Sequence, residues 1–544
     1  MKNRYTGNKF LTKGIMLMTL ITVLSTTSCK KYTELNPINS LAENTAFSTP
    51  SAIELTMNGV YNTAAVGSYS GAAGRGYPFG AASIEQSEMR GEDMVNLATF
   101  FQFTYESTIT SNTANNVNMW SNLYALINQC NVFIEGITGA VAKGTITAAA
   151  GDQYIAEARF LRALAHHELV IDFCRPYVDG NGSNPGVPYR TVAITSTDKA
   201  QQGLSIPRGT VAQDYTNILA DLDFAEAKLP APATGAAISR ATSGAAIALK
   251  TRVKQHMADW AGVIAEGAKL GTSAVTGPYK SPVSGYTLTA SPDGPFVSFS
   301  SNTESIFSIA NSSAANGGVN GALANMFGPA SNAINKNVGR NLVATSPNLY
   351  VASFWVTGDT RRTLLQIQQT TKDAFYFFNY KYRDPLTSTD FAPIIRYAEV
   401  LLNVAEAYSR TTALDPHALN LLNAVRNRAV PVINQYTIGS FASQNALTQA
   451  ILDERRIEFA GEGRRWPDIT RLSKDPNFAV AGGGVPAKVL LTSLAGDGSN
   501  YNIITRPVTP SLKAALPYSD SHYIWPIPID ELNANPNITQ NPDY

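Results

Sequence analysis

Pairs of amphipathic helices, recurring along the chain, constrain this sequence more than any other feature. Trp120, Leu123, Ile127, Asn131 and Ile134 return at three- and four-residue steps, as do Tyr154, Ala158, Leu161, Ala165 and Leu169. That spacing puts each set on one face of a helix. The Gly/Ala/Thr stretch at 139–151 joins the two into an αα-hairpin. Val211, Tyr215, Ile218, Leu222, Ala225 and Leu229 open a second pair. Its partner is expected from about Ser243 to Leu270, with Ala248, Arg252, Val253, His256 and Trp260. Tyr397, Leu401, Val404, Ala405 and Tyr408 form a third with Ala418, Leu422 and Val425 after Pro416, and Leu447 to Ala460 begins a fourth. Hairpins of one size, stacked, bury faces that none could bury alone. At least three such hairpins of similar length suggest a mainly α fold with tetratricopeptide-like stacking, against which a loose α-bundle is the competing reading.

Helix-start signals agree. Thr210-Val211-Ala212-Gln213 fits a capping box, and Ser48 or Thr49 ahead of Pro50 can start a helix carrying Ile53, Met57, Val60 and Tyr61.

Two long segments break the periodicity. From Gly67 to about Asn116, glycines at 67, 71, 74, 76 and 80 are interleaved with Tyr69, Tyr77 and Phe79. Glu85, Glu88, Arg90, Glu92 and Asp93 follow, then Phe100, Phe101, Phe103 and Tyr105. The second runs from Gly271 to about Arg340, includes Tyr279 and Tyr286, and holds a predicted strand at Glu304–Ile309. Long loops in a compact body are usually functional, and rings beside polar groups on irregular backbone offer faces for ring-shaped ligands. The candidate ligand-binding residues are Tyr69, Tyr77, Phe79, Arg90, Asp93, Phe100, Phe101, Tyr105, Tyr279 and Tyr286. The competing reading is that these rings pin the loops to the core. Phe375 to Tyr382 reads as a short strand, and the proline-rich tail from Tyr523 as an extended strap.

Asp453 to Asp468 crowds charges of both signs into a chain only 15% charged. Such a cluster sits on a wet face or forms a buried pairing network. Asp453 with Arg456 and Arg455 with Glu458 have helix-pair spacing, and Glu399, Glu406 and Arg426 are candidate partners on the preceding hairpin.

Composition narrows the function. A net charge of +1 over 544 residues argues against a nucleic-acid binder, which carries a basic stripe. Cys130 and Cys174 fall in apolar helical patterns and read as buried thiols. His166 and His167 have no metal-binding frame around them and read as packing residues. Ser196-Thr197-Asp198-Lys199 matches S-x-x-K but lies in a predicted loop with no S-D-N or K-T-G partner, so it is read as chance. No catalytic or metal-binding motif emerges. Pairs such as Glu85 and Glu88 could serve a hydrolase, whose chemistry needs two acids at a set separation that sequence spacing does not test, and Glu85 or Asp93 would then be needed for activity. No cofactor is implied, and a loop-bound calcium would leave no mark in the sequence.

The N-terminus sets the address. Lys2, Arg4, Lys9 and Lys13 precede the apolar run Ile15–Leu24, which is too short to span a membrane and ends in Ser25-Thr26-Thr27-Ser28-Cys29. This resembles a bacterial lipobox with Thr26 where Leu is usual, making Cys29 the lipidation site. Several acyl chains on one residue give stable attachment where a single chain is marginal. The expected organisation is a signal peptide at 1–28, a lipid-anchored tether at 29–48 and one body at 49–544.

Together these strings resemble the SusD/RagB family of outer-membrane nutrient-binding lipoproteins. The matching segments are Ser28-Cys29, Trp120 to Ile134, Ala156 to Ala163, Ile206 to Val211, Arg240 to Ala246, Arg396 to Leu402, Glu454 to Trp466, Trp525 to Pro528, Asn535 to Asn537 and Gln540 to Pro542. The resemblance implies a mainly α body with about four tetratricopeptide-like hairpins and a loop-rich face carrying short β segments, in a non-enzymatic, lipid-anchored protein of the outer membrane, facing the cell exterior. Its ligand would be an oligosaccharide, or in some branches a peptide, delivered to a SusC-like TonB-dependent transporter. It also implies that segments 69–105 and 279–350 face the ligand, while the Glu454–Trp466 cluster belongs to the scaffold. Lys30-Lys31 after Cys29 depart from the acidic stretch that would help export to the surface.

Overall fold

The structure, a computed structural model, describes residues 43–67, 75–233, 235, 238–330, 339–371 and 374–544. Cys29, the leader and Tyr69 lie outside the described residues. The chain divides into two compact units, residues 1–56 and 57–544. In the first, a helical turn at Glu43–Ala46 falls inside the stretch expected to be extended tether. Thr49 Oγ1 accepts from Ala52 N at 3.2 Å, and so starts α1 (Pro50–Val66) where the sequence placed it.

The second unit is mainly α. Helices α2 (Ala81–Arg90), α3 (Ala114–Ala142), α4 (Ala148–Phe173), α5 (Val211–Lys228), α6 (Ser243–His256), α7 (Trp260–Lys269), α8 (Tyr397–Thr411), α9 (Pro416–Arg426), α10 (Gln444–Glu458) and α11 (Arg465–Arg471) carry it. The hairpins stack in sequence: α4 packs on α3 and α5, α5 on α6, α6 on α7 and α8, and α8 on α9 and α10. The expected apolar faces meet there: Leu123, Ile127, Leu161, Ala165, Leu222, Val404 and Leu422 are buried. The capping box at Thr210 and Gln213 is formed.

Three antiparallel strand pairs complete the fold. Strand β1 (Met94–Asn96) pairs with β3 (Val343–Thr345), β2 (Ser305–Ile309) with β6 (Ala392–Arg396), and β4 (Gln366–Thr371) with β5 (Ala374–Asn379).

Four sequence readings are corrected. The helix expected over Ser243–Leu270 is two helices, because the chain turns at Ala258 (φ +55°) and Asp259 caps α7 by accepting from Gly262 N at 2.9 Å. Helix α2 lies inside the region read as irregular; nearly every residue of it is buried, polar Glu85, Gln86, Glu88 and Arg90 included, so tertiary contacts hold it. Ser196 caps a helix at Thr197–Leu204, and Lys199 pairs with Glu135 at 2.6 Å, so the S-x-x-K string is a helix start. The tail holds a short helix at Ile529–Ala534, while its flanks strap onto the end of α4 through Trp525 N to Asp172 O (3.0 Å) and Asn541 Nδ2 to Phe173 O (2.9 Å).

The charge cluster is a buried network between elements. Arg361 Nη1 donates to Glu454 (2.5 Å) and Glu458 (3.1 Å), Arg426 to Glu454 (3.0 Å), and Arg396 to Glu458 (3.0 Å) and Glu462 (2.8 Å). The expected pairs along the helix do not form. Arg456 turns to Asp93, and Arg455 donates to Asp468 at 2.9 Å. Of the proposed partners, Arg426 meets Glu454, Glu406 meets Arg471 (2.8 Å) and Glu399 meets Arg252 (2.6 Å). Burial raises the Glu458 carboxyl, but Arg428, Arg396 and Arg361 outweigh it and hold the group at about 2.

Cys130 and Cys174 are free, buried thiols. His166 is buried, with Nδ1 on Arg162 O (2.9 Å) and its ring stacked on Tyr189 at 3.8 Å. Among the described residues, no group of three or more His, Cys, Asp or Glu side chains is placed to hold a metal, and no helix is long and apolar enough to cross a membrane.

Candidate functional site

The two irregular segments meet. Strand β1 of the first pairs with β3 of the second, Leu97 N donates to Leu342 O (2.9 Å), and Ser346 N donates to Asp93 O (2.9 Å). Glycines allow the closest approach: Gly76 (φ +78°) and Gly321 lie backbone to backbone, and Ala81 N donates to Gly321 O at 3.3 Å. A Cβ on either glycine would overlap main chain.

At this junction most of the expected ligand-binding side chains turn inward. The Tyr77 hydroxyl accepts from Gln86 Nε2 at 2.9 Å, and Phe79 is buried beside it. Arg90 donates to Asp172 Oδ1 (2.8 Å) and Tyr523 O (2.6 Å), and its guanidinium lies 3.7 Å from the Trp466 ring centroid. Asp93 is clasped by Arg456 and Arg465. Phe101 is buried with Phe100 edge-on at 4.7 Å, and the Tyr105 hydroxyl donates to Met94 O (3.4 Å) and to Val489 O. Tyr286 is buried, its hydroxyl 3.1 Å from Thr242 Oγ1. In this state these residues hold the loops to the core. Phe100 alone of this group keeps part of its surface.

Other rings offer themselves instead. Phe103 is 54% exposed. On β5 the alternation splits the aromatic run: Phe375 and Phe377 pack with Tyr501, and Phe377 stacks on Tyr350 at 4.2 Å. Tyr376 and Tyr380 point the other way, half-buried with Leu97 against Ala344, Ile367 and Phe378. Arg383 lies 4.7 Å from the Tyr380 ring. Leu97 places this pair beside the junction strand. The signal was present in the sequence: a strand's period of two sends Tyr376 and Tyr380 to the face opposite Phe375 and Phe377.

Tyr279 stands elsewhere. It too is buried, its hydroxyl donating to Val275 O at 3.1 Å, at the edge of an open cleft of about 420 Å³ formed with Thr276, Pro278, Thr287, Leu288 and helix α9.

Glu85 is fully enclosed, and neither carboxylate oxygen has a hydrogen-bond partner. Burial pushes its carboxyl well above the usual range, against the lowering effect of Arg340. Glu88 accepts from Gly463 N (2.8 Å) and is raised to about 8, chiefly by burial. Neither acid reaches solvent.

The comparisons agree with this architecture. The sequence profile described as "SusD family" matches residues 358–544, and one described as "Starch-binding associating with outer membrane" matches 32–254. A SusD superfamily protein from Bacteroides fragilis has 26% identity and a TM-score of 0.71, covering 91% of this chain and 99% of that one. A laminarin-binding SusD-like protein aligns at 22% identity and a TM-score of 0.63, over 91% of this chain and 100% of its own. The SusD-like protein P2 of Formosa agariphila is 39% identical over 89 residues, 16% of this chain and 17% of that relative's length. With both profiles and the whole-chain structural match in agreement, the chain belongs to the SusD/RagB family.

Proposed function

We propose that this protein binds a neutral oligosaccharide or polysaccharide without turning it over, and delivers it to a TonB-dependent outer-membrane transporter. Lipidation of Cys29 tethers it to the outer membrane, facing the cell exterior. The observation that carries the reading is the ring surface that Phe100 and Phe103 keep on the first loop segment and that Tyr376 and Tyr380 keep beside the junction strand. Aromatic faces suit the C–H faces of pyranose rings. The profile described as starch-binding and the laminarin-binding structural relative support a glycan ligand. The enclosure of Glu85 and Glu88 and the double clasp on Asp93 speak against a hydrolase built on those acids.

Affinity electrophoresis of residues 30–544 through gels cast with laminarin, starch, xylan or mannan tests the ligand class. Retardation by at least one polysaccharide is expected. No retardation in any gel, with heat evolved on titrating a tryptic peptide mixture, would replace the glycan with peptide. Cys29→Ala should move the protein from the membrane fraction to the soluble one.

A further inference from the structure

The cleft beside Tyr279 is built unlike the loop junction. One wall is a single face of α9 continued by one residue: Asn420, Asn423, Ala424 and Asn427, at steps of three and four. The other wall is loop backbone with Thr276, Gly277, Pro278, Tyr279, Thr287 and Leu288. No charged side chain lines it. Three amides on one helix stripe would ordinarily be solvated surface, but here two are engaged. Asn420 Nδ2 donates to Val275 O (2.9 Å) and Asn423 Nδ2 to Tyr436 O (2.8 Å), which orients both. Asn427 makes no side-chain hydrogen bond among the described residues, and the carbonyl oxygens of Asn423 and Asn427 are enclosed without a partner. A preformed, uncharged cleft of about 420 Å³ with the Asn427 amide nitrogen unengaged suits a neutral ligand that accepts a hydrogen bond there.

We infer that this cleft is a second saccharide-binding site, separate from the loop junction, taking one or two neutral sugar units of a longer chain. The lack of lining charge sets aside acidic sugars, phosphates and charged peptides. Sugar hydroxyls both donate and accept, so one of them can accept from the free Asn427 nitrogen that faces the cleft. Pro278, Ala424 and Leu288 supply apolar contact for ring C–H groups. The inference rests on the glycan reading above and adds a second point of attachment, so that one polysaccharide chain held at both places gains avidity.

Two variants test it. Ala424→Phe fills the cleft from a half-exposed helix position, and Asn427→Ala removes the free amide without adding bulk. Each is compared with wild type and Tyr376→Ala by calorimetry with laminaritriose and maltotriose and by affinity electrophoresis in laminarin and starch, with Tm recorded. The expected result is two sites for one trisaccharide in wild type, one in either cleft variant at unchanged Tm, and at least a threefold loss of polysaccharide retention. Retention and stoichiometry unchanged in both cleft variants would overturn the second site and leave the glycan reading standing. One site in wild type for each trisaccharide would also overturn it, while no binding of these probes and no retardation by xylan or mannan would overturn both.

Discussion

Arg471 holds Glu406 through both terminal nitrogens, Nη1 to Oε1 at 2.9 Å and Nη2 to Oε2 at 2.8 Å, with both side chains shut from water. The pair ties α11 to α8, and Arg471 Nε extends it to Asp468 at 2.7 Å. Burial disfavours the Glu406 carboxylate, yet Arg471 and Arg410 hold its pKa below the ordinary value. Glu406→Ala should leave the guanidinium buried and half-paired, lowering stability by about 3–5 kcal/mol. Glu406→Leu combined with Arg471→Met should recover much of that, since an apolar pair carries no desolvation penalty. Urea midpoints of the three proteins decide it; a loss under about 1 kcal/mol in the single variant would show the pair to be dispensable.

Ring substitutions should separate the buried set from the surface set. Tyr77→Ala and Phe101→Ala empty enclosed volume and should cost about 3–5 kcal/mol of stability. Phe103→Ala should leave Tm within about 2 °C, given its exposure, and Tyr376→Ala, half-buried on its cluster, should cost less than either buried ring. At about 1 kcal/mol per stacked ring, each should also weaken glycan retention roughly fivefold. Retention unchanged in both surface variants would remove the junction rings from the site.

This contrast also marks how far the sequence could be read. Helix pairs were legible because Leu161, Ala165, Leu222 and Val404 repeat at helical period on buried faces. Helix α2 was not, because it is short and mostly polar, and Glu85, Gln86, Glu88 and Arg90 are buried by contacts made across the chain. Aromatics flanked by glycines located the loop junction but not which rings face out. Tyr77 and Phe101 differ from Phe103 only in what packs over them, and that is decided by strands paired across some 250 residues, such as Asn96 with Val343. The charged stretch announced pairing, but its partners lie on other elements: Arg361, Arg396 and Arg428 come from far along the chain.

The buried histidines set an acid limb. His167 and His256 meet edge to face at 5.0 Å, and burial pushes both well below 6.5. Below that pH the unfolded chain binds protons that the folded protein refuses, so stability falls as pH falls. His167→Leu removes one such site. Relative to that variant, wild type should lose about 1.4 kcal/mol per pH unit below pH 6. Asp172 and Asp214, raised by burial to about 7, titrate in both proteins and cancel in the difference. Parallel stability curves from pH 7 to 5 would show that His167 is not held neutral.

Neither cysteine should react in the native state. Burial pushes both thiols up to about 12, which leaves almost no thiolate at neutral pH. Iodoacetamide at pH 7.5 should label neither Cys130 nor Cys174 until denaturant is added, when both should react. Rapid native labelling of one would mean that its helix opens locally.

Gly461 is where the charged stretch has no freedom to vary. Its φ of +78° belongs to the left-handed region, and a Cβ there would overlap the Asn379 amide. That amide is in use: Nδ2 donates to Ala460 O at 2.8 Å, while Oδ1 accepts from Lys381 N at 2.8 Å. Lys381 in turn places its ammonium on Glu458 O (2.7 Å) and Glu462 (2.5 Å). Displacing Asn379 therefore loosens the end of β5 from the ion network. Gly461→Ala should lose about 1–2 kcal/mol from the backbone conformation alone, and about 1 kcal/mol more from the broken Asn379 bond. Gly439→Ala, whose new Cβ would meet only Thr437 Oγ1 at 3.8 Å, is the matched control and should change Tm by no more than about 1 °C. Equal losses in the two variants would show that the turn tolerates a side chain and that Asn379 is free to move aside.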